Sequence, residues 1–392
     1  METITTVDRN FYVDDCLKSV PTTDKAARLS GQLRELLSRG GFRLTKWISN
    51  DRNVIATVPV TERAPSVVNL DLEDLPVERT LGVQWAMETD DFNFRIMDEG
   101  KAPTRRGILS VVSSMYDPLG VVAPIILPAK NLLQSLCKRR YGWDEEISDA
   151  DSIVWQGWLK ELACLRTISV PRCFKPPGFG AVVNVQLHHF SDASEYGYEA
   201  VSYLRIVDDN GVPHCSFVLG KSRVTPLKVV SIPRLELAAA VVAVKLNCLI
   251  RNELEYPIHD TIYWMDSTVV LQYIRNESRR FHTFVANRVA MIHDESTPRQ
   301  WRHVDTCANP ADIASRGAKG SELHKLELWL HGPKFLSMGE ENWPGQPSQL
   351  PELPQDDSEC RKSPGRANVI VRSKMLEPLL SRYSSWDSLE RP

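Results

Sequence analysis

Hydrophobic and polar positions divide the chain into four segments. In the first, up to about Glu99, Ala27, Leu29, Leu33, Leu36 and Leu37 recur at helical spacing within Asp24 to Arg39, and Gly40-Gly41 marks the stop. Phe42 to Ser49 alternates as a strand would, while Leu81 to Trp85 and Phe92 to Ile96 read as a hairpin around the acidic turn Thr89-Asp90-Asp91. The second segment, Lys101 to Lys175, reads as helices over Thr104 to Met115, Leu127 to Arg140 and Asp151 to Leu165. Asp117-Pro118-Leu119-Gly120 separates the first two, and Pro176-Pro177-Gly178 marks a linker after the third. The third segment predicts an α/β unit. Val182 to Phe190 and Tyr198 to Val207 are β-rich, and Asp208-Asp209-Asn210-Gly211 turns into Cys215 to Val218. A helix over Leu235 to Leu254 begins at Pro233. A buried strand, Thr261 to Met265, then a helix over Phe281 to His293 and a strand over Gln300 to Val304 complete the unit. From Leu336 onward the chain is rich in Pro, Ser and acids, the composition of a weakly packed linker.

Composition narrows the class. With 42% hydrophobic and 25% charged residues in 392, the chain is neither wholly disordered nor collagenous nor coiled-coil. The longest apolar runs, such as Leu237 to Val244, fall far short of the roughly 18 residues of a membrane span. Met1 to Asn10 holds no apolar signal core, so the expectation is an intracellular protein, cytoplasmic or nuclear and not secreted. Eight scattered cysteines without a C-x-x-C pair point to reduced thiols, and His188-His189 would face opposite sides of a strand rather than share a metal. The net charge of −3 excludes a purely electrostatic nucleic-acid binder. The cations are nevertheless clustered: Lys221, Arg223, Lys228 and Arg234 occur without an intervening acid, and Arg105-Arg106 lies in a second basic stretch. Such clusters suit local phosphate contacts.

Four acids carry the candidate chemistry. Asp192 ends the first strand of the third segment, Glu236 lies one turn into the Ala-rich helix, Asp266 ends the buried strand, and Asp312 opens a helix whose cap is Asn309 and first residue Pro310. Singly, each has a bland explanation as a cap or turn residue. Glu236, between Leu235 and Leu237, has the weakest one. Together they supply the oxygen donors that two Mg²⁺ ions need for phosphodiester hydrolysis.

At this point a resemblance enters. Phe190-Ser191-Asp192-Ala193-Ser194, Ile232-Pro233-Arg234-Leu235-Glu236-Leu237, Trp264-Met265-Asp266-Ser267, Phe284-Val285-Ala286-Asn287-Arg288-Val289 and Asn309-Pro310-Ala311-Asp312-Ile313-Ala314-Ser315-Arg316-Gly317 resemble the ribonuclease H domain of BEL/Pao-type LTR retrotransposon polyproteins. The resemblance implies a five-stranded mixed sheet with flanking helices, and two-metal hydrolysis of the RNA strand of RNA–DNA hybrids. Mg²⁺, or Mn²⁺, would be held by Asp192, Glu236, Asp266 and Asp312. Tyr12-Val13-Asp14-Asp15 resembles the Y-x-D-D hairpin of reverse transcriptases, which makes Asp14 and Asp15 a polymerase remnant. Leu81-Gly82-Val83-Gln84-Trp85 and Asp117-Pro118-Leu119-Gly120-Val121-Val122-Ala123-Pro124 resemble the primer-positioning and connection regions. Only ten residues precede Phe11, so polymerisation is not expected.

The expected organisation is therefore a palm remnant over 1–100, a helical connection over 101–180, a ribonuclease H-like domain over 181–335 and a tail over 336–392. That tail leads toward an integrase, with Arg382-Tyr383-Ser384-Ser385-Trp386 resembling the segment ahead of it. Expected partners are the hybrid and the rest of the polyprotein, with no membrane. Glu199 departs from the pattern at a position where a small residue is expected. One alternative function is an inactive nucleic-acid binder. Another is an aspartic peptidase, a label this family region has carried, but Asp266-Ser267-Thr268 lacks the glycine of that motif.

Overall fold

The computed structural model describes residues 2–68, 75, 77–80, 83–94, 100–347, 353, 354 and 356–361. Helix α1 (Glu2–Asn10) leads into a hairpin of β1 (Phe11–Tyr12) and β2 (Asp15–Cys16), followed by α2 (Thr23–Arg39). Thr22 caps α2, and the chain leaves it through Gly41 at φ 81°. The alternating stretch 42–49 does not form the strand that its pattern predicts. Lys46 turns the backbone at φ 59°, and only Trp47 pairs, in an isolated bridge to Arg63. After α3 (Arg52–Ala56), the strands β3 (Val77–Thr80), β4 (Val83–Ala86), β5 (Asp91–Asn93) and, later in the chain, β6 (Ser169–Pro171) form an antiparallel sheet in that order. The hairpin read around 89–91 is thus β4 and β5, although Leu81, Gly82 and Ile96 lie outside the described residues.

Helices α4 (Arg105–Ser114), α5 (Ala123–Lys138) and α6 (Asp149–Glu161) follow. α5 starts four residues before its apolar period because the Asp117 carboxylate accepts from the Val121 and Val122 N–H groups, both at 2.9 Å, and nucleates the first turn. The main sheet comprises β7 (Val182–Ala193), β8 (Gly197–Asp208), β9 (Pro213–Val224), β10 (Asp260–Met265) and β11 (Trp301–His303), in the order β11-β10-β7-β8-β9. The first three form an antiparallel meander, and β10 and β11 add in parallel. The intervening helices are α7 (Ile232–Glu253), α8 (Thr268–Arg275) and α9 (Thr283–Glu295), with α10 (Pro310–Arg316) and α11 (Leu323–His331) after β11. β9 runs well beyond 215–218 because, as an edge strand, it carries exposed Lys221 and Arg223 that interrupt its apolar run.

Both faces of this sheet are covered. α4 to α6, α10 and α11 pack on Phe190, Val201, Tyr203, Phe217 and Trp264 in one core, and α7 to α9 pack on Leu187, Leu204, Ile206, Tyr263 and Trp301 in another. The helical connection therefore shares a core with the sheet. His188 and His189 do point to opposite faces, but both faces are interior. His188 accepts from Trp264 Nε1 at 3.0 Å, and His189 contacts Ser202 and Asn247. Burial pushes His188 well below the usual histidine range and His189 down to about 3, so both are neutral.

Just after Leu336, over residues 337–347, the chain is not the loose linker that its composition predicts, because buried groups of the sheet engage it. Arg205 donates to the Leu336 and Met338 carbonyls, and Trp343 lies edge-on to Trp264. Residues 362–392, including the motif around Trp386, lie outside the described residues. Among the described residues no helix is long and apolar enough to cross a membrane.

Candidate active site

The parallel register sets Trp264 of β10 beside Phe190 of β7. Asp192 lies two residues farther along β7 and Asp266 one residue past the end of β10, close enough for the Asp266 charge to act on Asp192. The antiparallel registers place Glu199 of β8 opposite Asp192, and Ser222 of β9 opposite Glu199. Asp192 and Glu199 are thus cross-strand partners, with Asp266 just past the end of the neighbouring β10.

The other two acids of the predicted quartet arrive on helices. Glu236, in the first turns of α7, accepts from Ser267 Oγ at 2.5 Å, and Ser267 is both the residue after Asp266 and the N-cap of α8. Asp312 is placed by the N-terminus of α10, where Asn309 caps Ala311 N–H at 3.2 Å and donates its amide to the Ser191 carbonyl at 3.2 Å. Ser315 Oγ lies 2.5 Å from Asp192 Oδ2, and Ser194 Oγ donates to the Ser315 carbonyl at 2.5 Å. These bonds stitch α10 to the end of β7. The Asp312 carboxylate pairs with Arg316 Nε at 2.6 Å, and Thr306 Oγ1 donates to Asp266 Oδ2 at 2.6 Å.

The electrostatics match this convergence. Burial, followed by the charges of Asp266, Asp312 and Glu236, raises Asp192 to about 8, against the Ser315 hydrogen bond. Burial, with Asp266 adding to it, also raises Glu236. Glu199 is fully buried, and neither of its oxygens has a hydrogen-bond partner. Burial and the neighbouring Asp192 hold it well above the carboxylate range, against the opposing pull of Ser222 and the Ala314 N–H, which lie nearby without closing a hydrogen bond of good geometry. The donor set is all oxygen, as Mg²⁺ or Mn²⁺ prefers, and a cation would relieve the repulsion felt by Asp192. Each quartet carboxylate is nonetheless held by its own hydroxyl or guanidinium partner. Among the described residues no three His, Cys, Asp or Glu side chains form a ready-made metal cage.

Of the candidate phosphate contacts, Lys221, Arg223 and Lys228 are exposed on β9 and the loop leading to α7. Arg105 and Arg106 are engaged elsewhere. Arg105 donates to the Tyr141 carbonyl and to Cys137 Sγ and lies over the Trp143 ring, while Arg106 forks onto Asp144 at 2.6 and 3.0 Å. Both fasten α4 to the chain beyond α5, which the clustering of charge in sequence could not reveal. Arg234 pairs with Glu359. Asp14 and Asp15 are exposed on the β1–β2 hairpin, where β-branched Val13 takes φ 57°, a costly conformation. Sequence reasoning missed Ser267, Thr306, Ser315 and Arg316 as partners of the acids. Three of these lie inside motifs already singled out, whereas Thr306 has no sequence signal.

Residues 104–267 match the family model described as the Pao retrotransposon-like RNaseH-like domain. No curated protein matches. Among solved structures, ribonuclease H1 from Halobacterium salinarum matches at 12% identity, covering 33% of this chain and 91% of that one with a TM-score of 0.21. The N-terminal ribonuclease H domain of a Mycobacterium tuberculosis protein matches at 9%, with coverages of 33% and 92% and a TM-score of 0.23. LC11-RNase H1 from a compost metagenome, solved in complex with an RNA/DNA hybrid, matches at 14%, with coverages of 33% and 91% and a TM-score of 0.21. The likeness to the Pao retrotransposon-like RNaseH-like family thus runs from the N-cap of α4 to the serine after Asp266.

Proposed function

We propose that this chain is part of a BEL/Pao retrotransposon polyprotein and that it hydrolyses the RNA strand of RNA–DNA hybrids with divalent metal. The observation that carries this reading is the convergence of four acids: Asp192 near the end of β7, Asp266 just past the end of the parallel β10, and Glu236 and Asp312 at helix starts, with the charges of the other three acting on Asp192. Asp192, Glu236, Asp266 and Asp312 would hold Mg²⁺, or Mn²⁺. When bound, two such ions supply positive charge to the attacking and leaving oxygens of a phosphodiester. The chain's own groups orient the acids: Ser315 holds Asp192, Ser267 holds Glu236, Thr306 holds Asp266 and Arg316 holds Asp312. Lys221, Arg223 and Lys228 grip phosphates beside them, and the 2′-hydroxyl of the substrate distinguishes RNA from DNA. We extend the reading to the flanking parts: the hairpin with Asp14 and Asp15 is a polymerase remnant, 101–180 a connection, 181–335 the nuclease unit, and 336–392 leads toward an integrase, with the rest of the polyprotein as partner.

A second reading, binding without cleavage, is favoured by one observation, the unpartnered Glu199 facing Asp192. A labelled hybrid incubated with the purified chain and Mg²⁺ separates the two. Cleavage that is abolished in the Asp192→Asn, Asp266→Asn double variant supports the nuclease. Cleavage that survives in that variant overturns the site assignment, and salt-sensitive binding with no cleavage favours the second reading.

A further inference from the structure

Residues 356–361 return to the nuclease unit and settle on a basic corner of it, between the starts of α7 and α9 and the end of α8. Glu359 forks onto Arg234 at 2.7 and 3.0 Å, with its own side chain 8% exposed. The Glu359 carbonyl accepts from His282 N–H at 2.8 Å, the Arg361 N–H donates to the Arg280 carbonyl at 2.8 Å, and Cys360 bridges to Phe281. Asp357 accepts from Tyr273 Oη at 3.2 Å, and Arg279 Nη1 donates to the Pro354 carbonyl at 2.6 Å. The segment that carries Asp356, Asp357 and Glu359 therefore docks beside Arg234, Arg279, Arg280 and His282, with Glu359 paired to Arg234 and Asp357 to Tyr273, on a surface that also holds Glu277. Arg234 is further fixed over the Phe284 ring, which Arg288 also covers. It lies two residues before Glu236 in the first turn of α7.

A guanidinium that presents its fork to a carboxylate presents the same fork to a phosphate. The Arg234 side chain keeps 37% of its surface open despite the pairing, so an incoming strand could approach it. We propose that this basic corner is a phosphate-contacting surface for the nucleic-acid backbone, and that the segment Asp356 to Glu359 is its intramolecular competitor, displaced when the strand binds. The proposal rests on the nucleic-acid reading above and adds a regulation of that site. A strap with a purely structural role would leave nucleic-acid affinity unchanged when its charge is removed.

The test uses the full chain and a fluorescent RNA–DNA hybrid, without added divalent metal, titrated by anisotropy at several salt concentrations. Glu359→Gln and Asp357→Asn, each checked for a cooperative melt, should tighten binding by roughly 3- to 10-fold, and Glu359→Gln should steepen the logarithmic salt dependence by about one, as one freed arginine meets one phosphate. Arg234→Gln should weaken binding and should erase the gain when combined with Glu359→Gln. A measurement that needs no variant guards against misfolding. Hybrid binding to the unaltered chain should speed hydrogen exchange at the His282 and Arg361 amides, which the docked segment ties down. Equal affinity of the unaltered chain and the acid variants, a gain that persists without Arg234, or unchanged exchange at both amides overturns the competitor alone. Absence of hybrid binding in every variant removes the nucleic-acid reading and this proposal with it.

Discussion

Glu199 concentrates the conflict between stability and chemistry in this chain. Its side chain faces the same core as Val201 and Tyr203, fully buried, with neither oxygen hydrogen-bonded and Asp192 directly across the strand pair. Its folded-state pKa lies above its unfolded value, so the native state binds a proton that the unfolded chain releases. Stability is therefore greatest below about 4.5 and falls as pH rises toward the raised value, by about 1.4 kcal/mol per pH unit. Glu199→Gln should melt higher than the unaltered chain at pH 8 and nearly with it at pH 4; parallel melting curves across that range would show that the carboxyl is not strained. Asp192, raised to about 8, has the same sign, but a cation can take the place of its proton. Mg²⁺ at 100 times its dissociation constant should stabilise the fold by about 2.7 kcal/mol. The shift should be larger at pH 9 than at pH 6, where the proton competes, and should be absent in Asp192→Asn. Thermal melts with Mg²⁺ and with EDTA read this directly, and equal shifts in both proteins would point to binding elsewhere.

Among the elements, α10 shows how much depends on a short helix. Its seven residues bring Asp312, Ser315 and Arg316 to the sheet, and Asn309 anchors it twice, to Ala311 N–H and to the Ser191 carbonyl beside Asp192. Asn309→Ala should cost about 1 kcal/mol as a lost cap, and more because the buried Ser191 carbonyl loses its donor. Hybrid cleavage should drop by a larger factor than this stability loss accounts for, because Asp312 and Ser315 shift together. A variant that loses stability but keeps full cleavage would leave α10 a purely structural element. The cap and the first helical proline were legible in sequence because Asn309-Pro310 combines two local signals that need no partner. The places of the four acids in the fold were legible for a similar reason, since each sits near a strand end or a helix start. The strand pattern at 42–49 misled because alternation shows only that one face could be buried, and among the described residues its pairing is limited to the bridge of Trp47 to Arg63. The engagement of Arg105 and Arg106 was hidden because their partners, Tyr141, Cys137 and Asp144, lie more than thirty residues away.

At the scale of the whole molecule, the sheet is buried on both faces, which forces polar groups of its middle strands to find internal partners, and the chain beyond Pro333 supplies several of them. Arg205, 3% exposed, spends its guanidinium on the Leu336 and Met338 carbonyls and on Gln186 Oε1, and Glu340 satisfies the amide of the same glutamine. Trp343 closes over His188 and Trp264, with Arg302 and Arg205 against its ring. Gln346 pairs with both backbone groups of His303, so the edge strand β11 is covered where it would otherwise invite another strand. A chain ending at Pro333 should therefore lose about 3 kcal/mol or more, because a buried charge keeps its desolvation cost and loses two of its three acceptors, and it should aggregate through the uncovered edge. Arg205→Met in the truncated chain separates these effects. With the unpaired charge gone, equilibrium unfolding in urea should recover a large part of the loss, while aggregation measured by light scattering should persist because β11 stays open. If the substitution restores nothing, the tail stabilises the fold through Trp343 and the apolar contacts alone, and Arg205 is not the group that holds it in place.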